Sequence, residues 1–570
     1  MLNTLLKKNW LTIINRYALL FLSTFLLAFI PLYPKLPLFE LIEGYIVRAR
    51  LEDVFIAITI VVYFIQLLRK KISLQTPLTK IIFVYIVIGF LSTLSGIFIT
   101  QTIPATEVHL LKSFLHFARY IEYFSLFFIT TAAITTKKDF KISLTVLVLT
   151  LLGIGLYGLG QKYLFWPVYS TMNREFSTGM VLYLTEHAKV QSTFGGHYDM
   201  AAYLVIVVPI VLSLIFYVKN RVQLLVLWSS YLIGLFLMIL SSARTSLAGL
   251  VAGLFVTIFI VGLFQTTLPK KLWFMSKHAV ITTTILTVMI LAFGDNMSER
   301  ITATFESYPP INQVLQVLVE QKQTLLTQIN IEQYFPEQFT IEKPENGISL
   351  EEAEVLLNSD TQPSPVKPRD VYVDVPNKIE VATISAQGEK TTITIEVPRT
   401  YSENAQKHGL SLAIRLDTLW PQAINGFLTN PLLGTGYATL TKSQVFEFTE
   451  ADSTDNNYLR TLGETGLLGF LAFYGCILLA LKTSYEILTN KSKADPLKKF
   501  FAVGFIGATI GLLLNATFID VFAASKVAYT YWAVTGMLFA LQKIQTKSQP
   551  HKKVNKKNTK QAKKRTFKNI

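Results

Sequence analysis

Apolar runs long enough to cross a membrane recur along most of this chain, and they constrain its fold more than any other feature. A membrane helix needs about 17–25 mostly apolar residues, because the hydrocarbon core is about 30 Å thick. About twelve such runs predict an all-α polytopic membrane bundle. Their cores lie at residues 12–31, 53–68, 80–100, 108–133, 141–160, 200–218, 222–240, 246–265, 278–293, 462–482, 500–519 and 527–542.

Composition agrees with a membrane protein and excludes several kinds of site. Hydrophobic residues make up 51% of the chain and charged residues 16%. Cys476 is the only cysteine, which excludes an intrachain disulfide and a thiolate metal cluster. The first apolar run, Tyr17–Ile30, lacks a small-residue cleavage site, so we interpret it as the first span rather than a cleaved signal peptide.

Basic clusters on alternate connections predict the orientation of the bundle. By the positive-inside rule, these clusters and both chain termini are predicted to lie in the cytoplasm. The protein is then predicted to lie in the cytoplasmic (inner) membrane. These clusters are Lys7/Lys8, Arg69–Lys71, Lys137/Lys138, Lys219/Arg221, Lys270/Lys271, Lys491–Lys499 and the C-terminal tail. The tail, 543–570, carries eleven Lys and Arg and no acid, and so supplies most of the net charge of +16. Nucleic-acid binding is one interpretation, but we favour a disordered cytoplasmic tail near anionic lipid headgroups.

The remaining chain divides into three predicted parts. Residues 1–293 hold spans one to nine, residues 294–461 form a large external loop, and residues 462–542 hold the last three spans. From Gly294 to Arg460 there are 23 Asp and Glu against 12 Lys and Arg, which agrees with an external location. Residues 300–408 are predicted to be a small α+β insertion, with a helix at Gln313–Ile329. The alternating runs VYVDV, KIEVATISA and KTTITIEV predict two or three short strands that form a hairpin.

The fourth predicted span carries a polar stripe. His109, Lys112, His116, Arg119 and Tyr123 are spaced so that they share one helical face, which is too costly to face lipid. One interpretation is a cationic groove for phosphates, in which Lys112, His116 and Arg119 bind substrate. The alternative is that His109 and Lys112 extend to the membrane surface, while Arg119 pairs with a glutamate inside the bundle.

Two further candidates lie where external connections meet spans. Arg244 stands on the short turn SSARTS, and its planar guanidinium suits phosphate oxygens. His197 follows two glycines that allow close backbone approach. Its imidazole can act as an acid, as a base or as a hydrogen-bond donor to a phosphate. Each also has a plain structural interpretation, as an interfacial arginine anchor and an interfacial histidine.

The segment DSTDNNYLRTLGETGLLGF, at the mouth of the tenth span, concentrates the remaining chemistry. A carboxylate in low-dielectric surroundings can act as a general base, so Asp455 is the candidate base. Asn456 can hydrogen bond beside it, and Arg460 can pair with Asp455 or hold a phosphate. The alternative is that Asp455 caps the following helix. Arg415 and Gly426 form an R-x10-G spacing, which alone is a weak signal.

Four ordered blocks resemble the O-antigen ligase and O-antigen polymerase superfamily. They are STFGGHYDMAAYL, SSARTSLAGL, RLDTLWPQAINGFLTNPLLGTGY and DNNYLRTLGETGLLGF. The resemblance covers nearly the whole bundle except the insertion and the tail. One departure is that Asp455 stands where many family ligases carry histidine. Another is that the paired R-x10-G motifs of the polymerase branch reduce here to Arg415–Gly426.

The resemblance implies a GT-C type membrane glycosyltransferase. Such an enzyme moves a glycan from an undecaprenyl-pyrophosphate carrier to a glycan, lipid or protein acceptor at the outer face of the membrane. It implies that Arg244 and Arg415 neutralise the pyrophosphate leaving group. Neither a cofactor nor a nucleic-acid partner is predicted. No motif for a P-loop, a zinc protease or a nucleophile elbow is found, which favours metal-independent transfer, although a carboxylate-rich metal site stays open.

A transporter or flippase for a lipid-linked anionic glycan is the alternative function. A large bundle with a cationic stripe suits it too. We find no internal repeat and no matched pair of helices broken by Gly or Pro, which are common in transporters.

Overall fold

The structure is a computed structural model and is mostly helical. It describes residues 2–42, 45, 47–172, 176–184, 188–294, 297–298, 348–349, 377–384, 390–397, 401–440, 453–490 and 495–544. The helix predicted at Gln313–Ile329 and the basic tail beyond residue 544 lie outside these residues.

Twelve long helices in the described part lie at the positions of the twelve predicted spans. They are α1 Leu2–Leu32, α2 Leu51–Leu68, α3 Thr79–Phe98, α4 Glu107–Ala133, α5 Lys137–Tyr163, α6 His197–Ile215, α7 Arg221–Leu240, α8 Arg244–Leu263, α9 Leu268–Phe293, α13 Asn457–Thr489, α14 Pro496–Asn515 and α15 Ser525–Lys543. Three short helices precede α13: α10 Glu403–His408, α11 Leu410–Ile414 and α12 Trp420–Thr429. A single π-helical turn, Arg415–Leu419, joins α11 to α12.

Nine of the long helices within the described part are long and apolar enough to cross a membrane, namely α2, α3, α5–α9, α13 and α14. The other three are less apolar or shorter in their apolar part. The apolar part of α1 is Tyr17–Leu32, α4 carries the polar stripe, and α15 mixes Lys, Thr and Tyr with its apolar residues. The structure therefore supports a multi-pass membrane protein with nine candidate spans, and the total of about twelve stays a prediction.

Helix α6 lies at the centre of the bundle, while α9 lies at its edge. The apolar window of α6 is 89% buried and that of α9 is 11% buried. Helix α6 is apolar around its whole circumference, as expected for a helix surrounded by others. It packs against α8 and α14, which also pack against each other.

Glycines bring α8 and α14 into close contact. A Cβ atom added to Gly253 would lie 2.6 Å from the carbonyl oxygen of Gly507, and one added to Gly507 would lie 2.5 Å from that of Gly253. Gly249 and Gly511 show the same reciprocal relation at 2.5 Å. Small residues let helix backbones approach closely, which is a common way to pack membrane helices.

The described strands form three small pairs. Strand β1 (Pro37–Glu40) pairs antiparallel with β2 (Arg48–Arg50) between α1 and α2. Strand β3 (Leu182–Tyr183) pairs parallel with β4 (Ile348–Ser349). Strand β5 (Asn377–Ile384) pairs antiparallel with β6 (Lys390–Val397) over eight residue pairs, which is the hairpin predicted for the insertion.

The turn after α12 packs against the first turns of α13. Gly434 and Gly436 have φ of 68° and 94°, a backbone region that favours glycine. At Gly466 (φ 64°) the helical geometry of α13 is interrupted. The amides of Leu467 and Leu468 there donate to the carbonyls of Pro431 and Leu432. These backbone hydrogen bonds hold the first three turns of α13 against the loop that precedes it.

We predict that Gly507→Ala destabilises the bundle, because the new methyl group would lie 2.2 Å from Oγ1 of Thr257 as well as close to Gly253. Overpacking of this kind costs about 1–3 kcal/mol. The measurement is the midpoint of thermal unfolding in detergent. Gly475→Ala is the matched control, because the nearest atom to its Cβ is 3.8 Å away and alanine is the better helix former. Equal midpoints for the two variants would contradict the close α8–α14 contact.

Candidate functional site

The predicted site residues gather at one end of the bundle, which we call the site end. Helix α13 begins there, and the α14–α15 connection (516–524) lies beside its first residue. The amide of Asn457 donates to the carbonyl of Ala516 at 2.9 Å, and its side-chain oxygen accepts from the amide of Phe522 at 3.0 Å. Asn457 is 1% exposed, so this side chain holds the connection in place.

Arg415 and Asp455 form an ion pair at the site end. Nη2 of Arg415 lies 3.0 Å from Oδ2 of Asp455, and the two side chains are 12% and 36% exposed. Arg415 begins the π-helical turn, a local irregularity that often occurs at functional sites. Its Nη1 donates to the carbonyl and hydroxyl of Ser411, and its Nη2 donates to the carbonyl of Phe518 at 3.3 Å. These hydrogen bonds hold Arg415 beside Asp455 in this structure, while the carboxylate stays accessible.

Asp455 does not cap α13. Its φ is 48°, in the left-handed region, and Oγ of Ser453 donates to its Oδ1 at 2.9 Å. The cap is Asn456, whose side-chain oxygen accepts from the amides of Tyr458 and Leu459, both at 3.0 Å. The alternative interpretation of Asp455 as the cap is therefore wrong, and a neighbour does this work. Asp455 is free of the helix end and faces Arg415.

Asp520, on the α14–α15 connection, organises this segment. Its carboxylate accepts from the amides of Thr454 and Asn456, both at 3.0 Å. It also accepts from Oγ of Ser453 at 3.2 Å and from Nη1 of Arg460 at 3.1 Å. Two residues before Asp455 and two after it thus donate hydrogen bonds to the same carboxylate. They are Ser453, Thr454, Asn456 and Arg460. Sequence analysis missed Asp520, and the only signal was an acid in a short connection between two apolar runs.

Arg460 is buried with two carboxylates. Its Nε lies 3.4 Å from Oε2 of Glu464 and its Nη1 3.1 Å from Asp520. Glu464 is 1% exposed and its Oε1 also accepts from the amide of Ala438. Arg460 therefore links α13 to the α14–α15 connection through Asp520, and to the loop before α13 through Glu464. The carboxylate of Asp455 pairs with Arg415 instead.

Arg119, on the polar stripe of α4, is held by carboxylates from two helices. Its Nη1 lies 2.5 Å from Oδ1 of Asp53 and 3.0 Å from Oε2 of Glu122. The hydroxyl of Tyr529 on α15 donates to the same glutamate at 2.8 Å. This is the internal Arg–Glu pair of the structural alternative, extended by Asp53. The stripe faces protein, and it joins α2, α4 and α15.

Two other stripe residues, Lys112 and His116, contact the loop between α1 and α2. Nε2 of His116 lies 2.9 Å from the hydroxyl of Tyr45, and Nζ of Lys112 lies over the Tyr45 ring at 5.5 Å. Lys112 is 4% exposed. Nδ1 of His109, nearer the start of α4, is 2.7 Å from the hydroxyl of Thr106. Tyr45 thus covers the middle of the stripe.

His197 and Arg244 begin α6 and α8, respectively. His197 is 5% exposed and its ring lies 4.0 Å from that of Tyr198. A Cβ atom on Gly195, two residues before His197, would lie 2.2 Å from Oγ1 of Thr171, so this glycine does allow close approach. Arg244 is exposed. Its helix, α8, begins close to the end of α14. Oγ of Ser246 lies 3.2 Å from Oδ1 of Asn515, five residues before Asp520.

A second charged cluster, also missed from sequence, joins three helix ends, those of α1, α6 and α15. Nζ of Lys526 on α15 donates to the carbonyls of Pro31, Tyr33 and Thr193, at 3.3, 2.6 and 2.8 Å. Nζ of Lys35 donates to Oγ of Ser525 at 3.1 Å and lies 3.8 Å from Asp199. Burial lowers the pKa of the Lys35 ammonium, and the Asp199 carboxylate opposes this change. Lysines near helix ends usually extend to the surface, so nothing in the sequence marked these two as buried.

Within the described ranges, no group of three or more His, Cys, Asp or Glu side chains is placed to hold a metal ion.

The comparison with known families covers the part of the chain that holds the Arg415–Asp455 pair. Residues 229–474 match the family model described as O-antigen ligase. The chain carries an O-antigen ligase family domain. That domain contains Arg244, Arg415, Asp455 and Arg460, whereas the stripe of α4, His197 and Asp520 lie outside the matched region. The match is thus narrower than the resemblance expected from sequence. No curated protein is significantly similar to the chain.

The O-antigen ligase family implies glycan transfer by a membrane enzyme, and the matched domain holds both members of the Arg415–Asp455 pair. The polar groups at the site end suit such a transfer. An accessible carboxylate can take a proton, and an arginine beside it can interact with an anionic group.

We predict that Asp520→Ala loosens residues 453–456 without unfolding the bundle. Hydrogen bonds to charged groups contribute about 1.5–3 kcal/mol, so amide exchange at Thr454 and Asn456 should become roughly tenfold faster or more. Hydrogen–deuterium exchange with mass spectrometry measures this change. The control is Asp417→Ala, because the exposed Asp417 carboxylate accepts only local hydrogen bonds from Ser402 and Asn404 among the described residues. Unchanged exchange in Asp520→Ala would contradict the proposed role of this carboxylate.

Proposed function

We propose that this protein is a glycosyltransferase of the O-antigen ligase or polymerase type. It transfers glycan from an undecaprenyl-pyrophosphate carrier to a glycan, lipid or protein acceptor at the outer face of the cytoplasmic membrane. The observation that carries the proposal is the Arg415–Asp455 pair inside an O-antigen ligase family domain, at a membrane-helix end. The proposal includes twelve spans and cytoplasmic termini, supported by the alternating basic connections.

In the proposed reaction, the acceptor hydroxyl attacks the anomeric carbon of the donor glycan. The bond from that carbon to the phosphate oxygen breaks, and the electron pair leaves with the pyrophosphate. Asp455 takes the proton of the hydroxyl as general base. Arg244 and Arg415 stabilise the negative charge on the leaving pyrophosphate, which is the largest electrostatic demand of the reaction.

The resting ion pair suggests how donor binding prepares the base. Arg415 now pairs with Asp455 at 3.0 Å, so its guanidinium occupies Oδ2 of that carboxylate. A pyrophosphate offers the guanidinium a stronger bidentate partner. We propose that the guanidinium of Arg415 turns from Asp455 to the donor, which frees Oδ2 of Asp455 to take the proton of the acceptor hydroxyl.

The other predicted binding residues take supporting roles in this proposal. Arg119 and Arg460 already face two carboxylates each, which favours positioning of helices over phosphate binding. Asn456 caps α13 and thereby fixes the direction of the chain after Asp455. Asp520 is a positioning residue that acts through the 453–456 segment. His197, His116 and Lys112 line the same end and stay candidates for contact with the glycan.

We predict that Arg244→Ala and Asp455→Ala each lower transfer by about 100-fold or more, since single charge-stabilising or acid–base groups contribute roughly 10²–10⁴-fold. The assay uses purified protein in proteoliposomes with an undecaprenyl-pyrophosphoryl glycan, and follows both the joined product and the released carrier. Glu403→Ala, on an exposed face of α10, is the control and should keep full activity.

Each variant must first insert and unfold at the same temperature as the unchanged protein. Full transfer in both Arg244→Ala and Asp455→Ala would rule out the site assignment. Movement of the donor across the bilayer without joining of sugars would favour the transporter alternative.

A further inference from the structure

The hairpin between α1 and α2 presents apolar side chains outward. Leu38 is 48% exposed, Phe39 57% and Leu41 39%. Val181, on the neighbouring loop segment before β3, is 47% exposed. We call these four residues the loop patch. Exposed apolar side chains that lie together mark a surface with a partner.

The loop patch rests on a rigid base. Nη1 of Arg48 on β2 donates to Oγ of Ser177 at 3.2 Å, which ties the hairpin to the segment that carries Val181. Pro37 packs on Gly179 so closely that an added Cβ would lie 3.0 Å from its Cδ. The patch therefore has a fixed position at the site end.

The only acid within β1 is neutralised within the hairpin. Nε and Nη2 of Arg48 both donate to Oε1 of Glu40, at 3.1 and 2.5 Å. An unpaired carboxylate between Phe39 and Leu41 would resist transfer into an apolar medium. A paired one removes most of that cost, so the charge pattern of the hairpin suits contact with a membrane.

The loop patch continues a lipid-facing row on α2. Val54, Ile58, Val61, Ile65 and Leu68 are exposed at spacings of four and three residues, along one face of a candidate span. Pro37 pairs in register with Arg50, the residue just before α2. The hairpin therefore starts beside the first turn of α2, which carries Val54. Amphipathic segments at the end of a membrane span bury their apolar side in the headgroup region.

We propose that the loop patch inserts into the bilayer surface at the site end and contacts the acyl chains of membrane lipids. It holds the α1–α2 loop, including Tyr45 above the polar stripe, at a fixed height relative to the membrane. The proposal rests on the exposed side chains and on their continuity with α2, and it does not depend on the proposed reaction.

A single-cysteine experiment tests this directly, because Cys476 is the only cysteine and is buried. In a Cys476→Ala background, Phe39→Cys is labelled with an environment-sensitive nitrobenzoxadiazole dye. The protein is placed in nanodiscs of phosphatidylethanolamine and phosphatidylglycerol. Quenching by lipids with a doxyl group at carbon 5 is compared with quenching by aqueous iodide. Lys407→Cys, on exposed polar α10, is the matched control.

We expect the label at Phe39 to be quenched at least twofold more by doxyl lipid than the label at Lys407, and less by iodide. A second label at Leu38→Cys should give the same result, which guards against a local effect of one substitution. Equal iodide quenching at Phe39 and Lys407 would overturn the proposal. Disulfide crosslinking between Phe39→Cys copies would overturn it too, by assigning the patch to a contact between two chains.

Discussion

The carboxylate of Asp520 is the interaction on which the arrangement of the site depends. It accepts hydrogen bonds from the backbone of Thr454 and Asn456 and from the guanidinium of Arg460. These groups lie on both sides of Asp455, in a segment that enters a helix with a left-handed residue. Without this common acceptor, several buried donors would lose their partner, and each loss costs about 1–3 kcal/mol. The position of Asp455 therefore depends on the α14–α15 connection as well as on its own loop.

The cost of an unpaired charge explains why Asp455, the proposed base, and Arg415, the proposed leaving-group arginine, are paired in this structure. Isolated charges at a membrane-helix end are costly, and pairing Arg415 with Asp455 lowers that cost. In the proposed mechanism, the donor pyrophosphate takes the arginine and leaves the carboxylate ready to accept a proton. Donor binding would then free the carboxylate oxygen of Asp455 in the same event.

The sequence predicts the helices well, because a long apolar run is a local property and a membrane permits few alternatives to a helix. It also predicts that the stripe on α4 faces a wet or protein-lined interior and not lipid, since charged residues facing lipid are too costly. It does not predict which groups the stripe meets. Arg119 pairs with Asp53, 66 residues earlier in the chain, and Tyr529 reaches Glu122 from 407 residues away. Asp520 was missed for the same reason, since its partners are set by tertiary packing. Asn456, the observed cap, directly follows Asp455, the predicted alternative. The position of a cap can shift by one residue, because it depends on local backbone geometry.

The pH dependence of glycan transfer tests the central claim, that Asp455 is the general base, most directly. We would measure the rate of transfer against pH for the unchanged protein and for Asp455→His, which restores the residue that many family ligases carry. If Asp455 is the base, the histidine variant stays active and the acid limb of its profile moves to higher pH, because an imidazole ordinarily loses its proton at higher pH than a carboxylate. Profiles with the same acid limb in both proteins would contradict the account.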